Sequence, residues 1–140
     1  MNRGLLALLA ALALAGCSSE SEDCGTPADP SGTWDYDATQ STPAATVTGT
    51  WVLSHPETCR IGGTFSATVD EGDGTPGLLS GSVSGLFLDE THLEIHLYPA
   101  GGGDRVHLGT MVADTIAGSW EQPGAGAGMS GSFRAQRSEP

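Results

Sequence analysis

The sequence contains no lysine, and its five arginines stand against seventeen aspartates and glutamates. The formal net charge is therefore -12 at pH 7. A chain this acidic repels the phosphate backbone of nucleic acids, so we expect no nucleic-acid partner. It also repels an anionic membrane surface, and any attachment to a membrane must use another means.

Long apolar runs are also scarce, apart from one near the N-terminus that extends from Leu5 to Leu14. This run is too short for a transmembrane helix, which needs about 20 apolar residues. Arg3 precedes the run, and the small pair Ala15-Gly16 follows it directly before Cys17. A positive start, a short apolar stretch and small residues at a cleavage point are the three parts of a secretory signal.

The segment Leu14-Ala15-Gly16-Cys17 resembles the lipobox of bacterial lipoproteins. The resemblance implies cleavage before Cys17, acylation of its thiol and a mature chain anchored to a lipid membrane. Ser18 resembles the pattern of lipoproteins that are sent to the outer membrane and face the periplasm. We therefore expect a cell-envelope lipoprotein with a signal peptide over residues 1–16 and a lipidated polar tether over residues 17–30.

Cysteine is rare, with three residues in the chain. Once Cys17 is assigned to the lipid, Cys24 and Cys59 remain as an even pair in an oxidising compartment. We predict a disulfide between them, and two free thiols are the alternative. The bond closes a loop of about 35 residues, which stabilises a fold by about 3–4 kcal/mol in the chain-entropy model.

Beyond the leader no segment of useful length has helical periodicity, and a different pattern recurs. An apolar residue is followed two positions later by glycine and, after two more positions, by a large apolar residue. The three positions share one face of a strand, because side chains alternate with period two. The copies are Val47-Gly49-Trp51, Ile61-Gly63-Phe65, Leu79-Gly81-Val83, Ile116-Gly118-Trp120 and Met129-Gly131-Phe133, with Pro30-Gly32-Trp34 as a degenerate first copy.

Small polar residues occupy most of the positions between the apolar residues and glycines of this pattern. Each strand therefore has one apolar face and one solvent-exposed face, as strands of antiparallel sheets often do. Glycine on the apolar face allows the tight coiling that a barrel needs. We predict an all-β fold, a small eight-stranded antiparallel up-and-down barrel over residues 31–137. The strands are placed near residues 31–37, 45–54, 58–69, 77–88, 91–98, 104–112, 114–121 and 128–136.

The few aromatic residues are expected mainly inside this barrel. A barrel of eight strands is either filled by side chains or able to hold one small ligand. A largely filled core is the favoured arrangement, and a small apolar cavity near the open end is the alternative. The predicted inward aromatic residues are Trp34, Tyr36, Trp51, Phe65, Phe87, Trp120 and Phe133.

Gly32-Thr33-Trp34 in the first strand, with an arginine near the end of the last strand, resembles the lipocalin and avidin-like group of barrels. In lipocalins the tryptophan of a Gly-x-Trp motif packs under an arginine from the last strand at the closed end. The resemblance assigns that structural role to Gly32, Trp34 and Arg134, with Arg137 as the second candidate.

A possible metal site lies on the fifth and sixth predicted strands. His92, Glu94 and His96 share one face, and we expect Arg105 and His107 to point outward while Val106 and Leu108 point inward. If Tyr98 pairs with Arg105, His96 faces His107, and imidazole and carboxylate ligands could hold Zn²⁺. A solvated polar face is the simpler interpretation. The four candidate ligands are His92, Glu94, His96 and His107.

These observations favour a non-catalytic module that binds a small apolar ligand in the mouth of a barrel, although they identify no ligand-binding residue. No combination of Ser, His, Asp or Cys has a spacing that indicates catalysis, and we expect neither enzymatic activity nor a cofactor. The alternative is a structural or interaction lipoprotein whose packed barrel presents its surface to an envelope protein.

Overall fold

The computed structural model describes residues 23–124 and 129–139. Cys17, the predicted signal peptide and the first part of the tether lie outside the described residues. The described chain forms eight strands and no helix. In chain order they are β1 (Gly32–Ser41), β2 (Ala44–Glu57), β3 (Arg60–Asp70), β4 (Gly77–Phe87), β5 (His92–Pro99), β6 (Arg105–Val112), β7 (Thr115–Glu121) and β8 (Ser130–Arg137).

Each strand pairs with the next one along the chain in antiparallel fashion, and β8 pairs with β1, which closes the barrel. All eight predicted strands and their up-and-down order are confirmed. Strand β1 runs a few residues longer than predicted, because it stays paired with β2 up to a tight turn at Thr42-Pro43. Strand β2 is longer at its other end, where its pairing with β3 continues past an irregularity between Ser54 and Glu57. Within the described ranges, no helix is long and apolar enough to cross a membrane.

The interior is largely occupied by side chains. Buried and exposed residues alternate along the strands, as expected of a sheet with one wet face. Full burial of one large apolar side chain contributes about 1.5–3 kcal/mol, so this set dominates the stability of the core. All of the predicted inward aromatic residues are almost fully buried: Trp34, Tyr36, Trp51, Phe65, Phe87, Trp120 and Phe133.

The recurring glycines mark places where neighbouring strands cross at very short range. A Cβ atom added to Gly118 would lie 1.9 Å from the carbonyl oxygen of Leu108 on β6, and one added to Gly131 would lie 1.7 Å from that of Thr39 on β1. Only a residue without a side chain fits there. Gly49, Gly63 and Gly81 meet the backbone of the adjacent strand in the same way.

The end of the barrel where β1, β3, β5 and β7 begin, here called the closed end, carries the predicted disulfide. Cys24 and Cys59 are bonded with an S–S distance of 2.04 Å, and Cys24 is buried. The bond joins the segment before β1 to the start of β3. The disulfide predicted from the cysteine count is thus confirmed.

Trp34 is also buried at the closed end, and the arginine above it is Arg137. The Arg137 guanidinium carbon lies 4.4 Å from the centre of the Trp34 ring, and Nε of Arg137 donates to Asp114 at 2.8 Å. The preference for Arg134 is wrong, because Trp34 pairs with Arg137 and Arg134 lies on the outer face. There the Arg134 guanidinium donates to the side chains of Thr115 and Gln136.

Candidate functional site

Strand β6 has its polar and apolar faces reversed relative to the expected pattern. Arg105 and His107 point into the barrel and are buried, whereas Leu108 is half exposed on the outer wall beside Val106. The predicted orientation of all four residues is therefore wrong. A strand that turns charge inward and leucine outward breaks the local rule of sheet patterning, and such breaks are expected at functional sites.

The reversal follows from the register between β5 and β6. Arg105 is opposite Leu97, not Tyr98, and His107 is opposite Ile95. Because side chains alternate with period two, a shift of one residue in pairing turns every side chain of a strand to the other face.

The predicted metal site loses a ligand through this reversal. His107 lies inside the barrel, while His92, Glu94 and His96 remain on β5 at the outer wall. His96 is hydrogen-bonded to Glu94 at 2.5 Å, and His92 is hydrogen-bonded to Asp89 at 2.7 Å. Among the described residues no group of three potential metal ligands converges, so the four-ligand assignment is wrong.

Arg105 lies near the mouth, the end of the barrel opposite the disulfide. Its guanidinium carbon is 4.7 Å from the centre of the Trp120 ring, and the side chain is only 6% exposed. The Trp120 indole is held in place by its Nε1, which donates to the Thr39 carbonyl at 2.9 Å. Burial lowers the pKa of Arg105, but a guanidinium stays protonated in proteins, so a positive charge stands inside the mouth.

His107 lies deeper in the barrel than Arg105. Its Nε2 and the Tyr36 hydroxyl oxygen are hydrogen-bonded, with 2.8 Å between the two atoms. The Tyr36 ring stacks on Trp51 with 4.7 Å between centroids, and the His107 ring contacts Phe133 edge-on at 4.9 Å. Such offset and edge-on arrangements stabilise aromatic pairs by about 0.5–1.5 kcal/mol each. We call these rings the aromatic cluster: Tyr36, Trp51, His107, Trp120 and Phe133.

The imidazole of His107 is neutral at physiological pH. Burial lowers its pKa to about 3, and the charge of Arg105 acts in the same direction, although the carbonyls of Arg105 and Ile95 partly oppose the shift. Burial also raises the pKa of Tyr36, so its hydroxyl stays protonated. A neutral imidazole with a pKa this low is a weak base for proton transfer near neutral pH.

Several polar atoms inside the barrel have no hydrogen-bond partner among the described residues. A buried donor or acceptor without a partner costs about 1–3 kcal/mol, and native proteins contain few of them. Each such atom requires an explanation, such as local strain, a functional role, or an ordered water or ion. The unpartnered atoms on the inner face are Gln40 Oε1, Trp51 Nε1, Arg105 Nε and His107 Nδ1.

Acid should destabilise the barrel through His107. With a pKa near 6.5 in the unfolded chain and about 3 in the folded one, its contribution to stability is complete above pH 6.5 and is lost as the pH falls toward 3. When the pH is lowered from 7 to 4.5, the free energy of unfolding should fall in both proteins. We expect the fall to be about 2–3 kcal/mol smaller in His107→Gln than in the wild type. Urea unfolding at both pH values measures this, and His92→Gln, which alters an exposed histidine, is the control. Equal acid losses in all three proteins would contradict the prediction.

Sequence reasoning missed Arg105 and His107 as inner residues, although one signal for His107 was present. His107, Gly109 and Met111 repeat the spacing of the glycine pattern, with histidine in the first position. Gly109 faces inward as the other glycines do, since an added Cβ would lie 2.8 Å from the Phe133 ring. The spacing of glycine was a better guide to the inner face than the alternation of Val106 and Leu108.

No protein-family model and no curated protein matches the chain. Several solved structures are similar to it, among them the following three. EF1p2_mFAP2b bound to DFHBI has a TM-score of 0.64 at 18% identity, over 77% of this chain and 93% of that one. A de novo designed fluorescence-activating β-barrel has a TM-score of 0.58 at 18% identity over the same shares of the two chains. The redesigned barrel mFAP1 bound to DFHBI has a TM-score of 0.61 at 17% identity, over 76% of this chain and 94% of that one. At these identities the likeness concerns the fold alone, and the protein is a small closed barrel of eight antiparallel strands.

Proposed function

We propose that this protein is a non-catalytic binding module that holds a small apolar ligand in the mouth of its barrel. The observation that carries the proposal is the reversal of β6, which places Arg105 and His107 inside an otherwise apolar interior. Ligand sites combine an apolar lining with a few convergent polar groups, and this inner face has that composition near the mouth.

The aromatic cluster supplies the apolar part of the proposed site. Trp120 lies between Arg105 and the inner rings, and its centroid is 6.1 Å from that of His107. A flat ligand could stack on such rings while the unpartnered Nε1 of Trp51 bonds a polar atom of the ligand. The barrels of similar fold that bind DFHBI support the idea that this architecture accommodates a small molecule.

The proposal excludes catalysis because the polar groups turned inward are unsuited to proton transfer or nucleophilic attack. The buried polar and charged residues of the described chain are Gln40, Arg105 and His107, and none of them is a carboxylate. Two of the barrels of similar fold have structures bound to DFHBI, which supports a binding role for this architecture.

We further propose that the barrel is anchored to the cell envelope through an acylated Cys17 and belongs to the outer membrane, facing the periplasm. The described chain begins at Asp23, next to the disulfide at the closed end. An anchor at Cys17 therefore directs the closed end toward the membrane and the mouth away from it. In a membrane fractionation, wild-type protein should sediment with membranes and Cys17→Ser should not.

The ligand proposal is tested by titration with prodan, a neutral apolar fluorescent probe. All described core contacts and the disulfide lie within residues 23–139, so residues 18–140 produced in an oxidising compartment can be used. We expect saturable 1:1 binding, energy transfer from tryptophan to the probe, and at least fivefold weaker binding in Trp120→Phe. Leu108→Ser, on the outer wall of the adjacent strand, is the matched control and should bind as the wild type does.

A second function has its own support in the outer wall. Leu108 is 50% exposed and lies between two open grooves of about 350 and 390 Å³, and Val112 on the same strand is 66% exposed. An interaction lipoprotein would use such a surface to contact an envelope protein. Absence of saturable prodan uptake, or its loss in Leu108→Ser alone, would overturn the ligand proposal and favour this function.

A further inference from the structure

We infer that the ligand at the mouth of the barrel is a small carboxylic acid, whose carboxylate pairs with Arg105. This inference rests on the proposed function and specifies the chemistry of its ligand. It depends on the surroundings of Arg105, a buried cation near the mouth of the barrel without an anion to balance it.

The charge of Arg105 is not compensated by the described protein. The Arg105 guanidinium makes no ion pair and no hydrogen bond with a described residue, and its Nε is buried without a partner. Its remaining contact is the face of Trp120 at 4.7 Å. A cation–π contact stabilises by about 0.5–2 kcal/mol, which is less than the several kcal/mol that the desolvation of an ion costs.

The counter-charge has to come from outside the barrel wall. The chain has seventeen acidic residues, yet none of the buried polar residues in its described part is acidic. Tyr36 does not supply the charge either, because burial raises the pKa of its hydroxyl and keeps it neutral. By contrast, Arg137 at the closed end pairs with Asp114 at 2.8 Å, so this fold does balance its other inward-facing arginine.

A carboxylate matches the hydrogen-bond donors of this guanidinium. The Nε–H and the neighbouring Nη–H of an arginine form a planar fork that matches the two oxygens of one carboxylate. At Arg105 the Nε–H of that fork has no hydrogen-bond partner among the described residues. The acid should carry a flat apolar body, because the guanidinium stacks on Trp120 and the aromatic cluster continues into the barrel from there.

The inference is tested by comparing two ligands that differ mainly in charge. Calorimetric titration of residues 18–140 at pH 7 uses 2-naphthoate and its neutral amide, 2-naphthamide. We expect the wild type to bind 2-naphthoate at least tenfold more tightly than 2-naphthamide. Arg105→Met should weaken 2-naphthoate binding at least tenfold and change 2-naphthamide binding less than threefold.

Arg105→Met preserves the length of the side chain, and replacement of an unpaired buried charge by an apolar group is often neutral or stabilising for a fold. Arg134→Met removes an exposed arginine and controls for the change in net charge, so it should alter neither affinity more than twofold. Thermal unfolding and near-ultraviolet circular dichroism verify that both variants are folded.

Three outcomes would overturn the inference, and they separate it from the proposed function. If 2-naphthamide and prodan bind but 2-naphthoate has no advantage, the binding module stands and the acid assignment fails. If the advantage persists in Arg105→Met or disappears in Arg134→Met, the carboxylate pairs elsewhere. If none of the three compounds binds saturably, the proposed function fails and the inference fails with it.

Discussion

Replacement of Gly118 by alanine is expected to destabilise the barrel by about 3 kcal/mol or more, near the upper end for the addition of one methyl group. Gly118 lies in the middle of β7, and a Cβ there would be 1.9 Å from the Leu108 carbonyl oxygen and 2.7 Å from the Cα of Gly109. Both contacts are with the backbone of β6, which cannot rotate away as a flexible side chain could. The two strands must separate, and the pairing between them is lost around the site.

Urea unfolding of Gly118→Ala measures this effect, and Gly101→Ala is the matched control. Gly101 lies exposed in the turn after β5, and an added Cβ would meet no heavy atom within 4 Å. The control should therefore unfold within about 0.5 kcal/mol of the wild type. If Gly118→Ala lowers the free energy of unfolding by less than 1 kcal/mol, β6 and β7 can move apart at little cost. The glycine pattern would then not determine the curvature of the barrel wall.

Removal of the disulfide is the second large effect that we expect. The double variant Cys24→Ser and Cys59→Ser should lose about 3–4 kcal/mol of unfolding free energy, since the unfolded chain regains the freedom of a loop of 35 residues. The loss should exceed that of an exposed disulfide, because Cys24 is buried and a serine hydroxyl there needs a new partner.

Urea unfolding of the oxidised wild type, the reduced wild type and the double variant gives the comparison. The reduced wild type should be destabilised by nearly as much as the double variant, because both lack the cross-link. If reduction has no effect while the double variant is unstable, the packing of Cys24 matters and the cross-link does not.

The closed end shows how the disulfide cooperates with its neighbours. Trp34 Nε1 donates to the Pro30 carbonyl at 2.8 Å, and Arg137 donates to the carbonyls of Asp29 and Ser31. The segment before β1 is thereby bound to the barrel by a covalent bond and by several hydrogen bonds. These contacts give the chain a fixed point of departure toward the predicted lipid anchor at Cys17.

Two errors of sequence reasoning concern the same quantity, the phase of a strand. The predicted partner of Trp34 is Arg134, yet Phe133 points inward and its neighbour in sequence must then point outward. On β6 the apolar residues Val106 and Leu108 predict that these two side chains point inward. The glycine spacing predicts the opposite orientation, in which His107 and Gly109 face the interior.

The sequence by itself determined the eight strands, their order, the inward aromatic residues and the Cys24–Cys59 pair. These features depend on local alternation, on turn residues between strands and on a count of cysteines, and all of these can be read along the chain. The recurring glycines can also be read from the sequence. In each complete copy of the pattern, the glycine marks a point where the backbone of its strand lies very close to the backbone of the neighbouring strand.

Only the tertiary structure decided which face of β6 lines the barrel. That face depends on whether Arg105 pairs with Leu97 or with Tyr98, a choice made by the turn after β5 and by closure of the whole wall. One residue of register moves a cation from solvent into the interior. The candidate site at Arg105 and His107 therefore arises from long-range pairing, because local alternation alone would have put leucine and valine in their place.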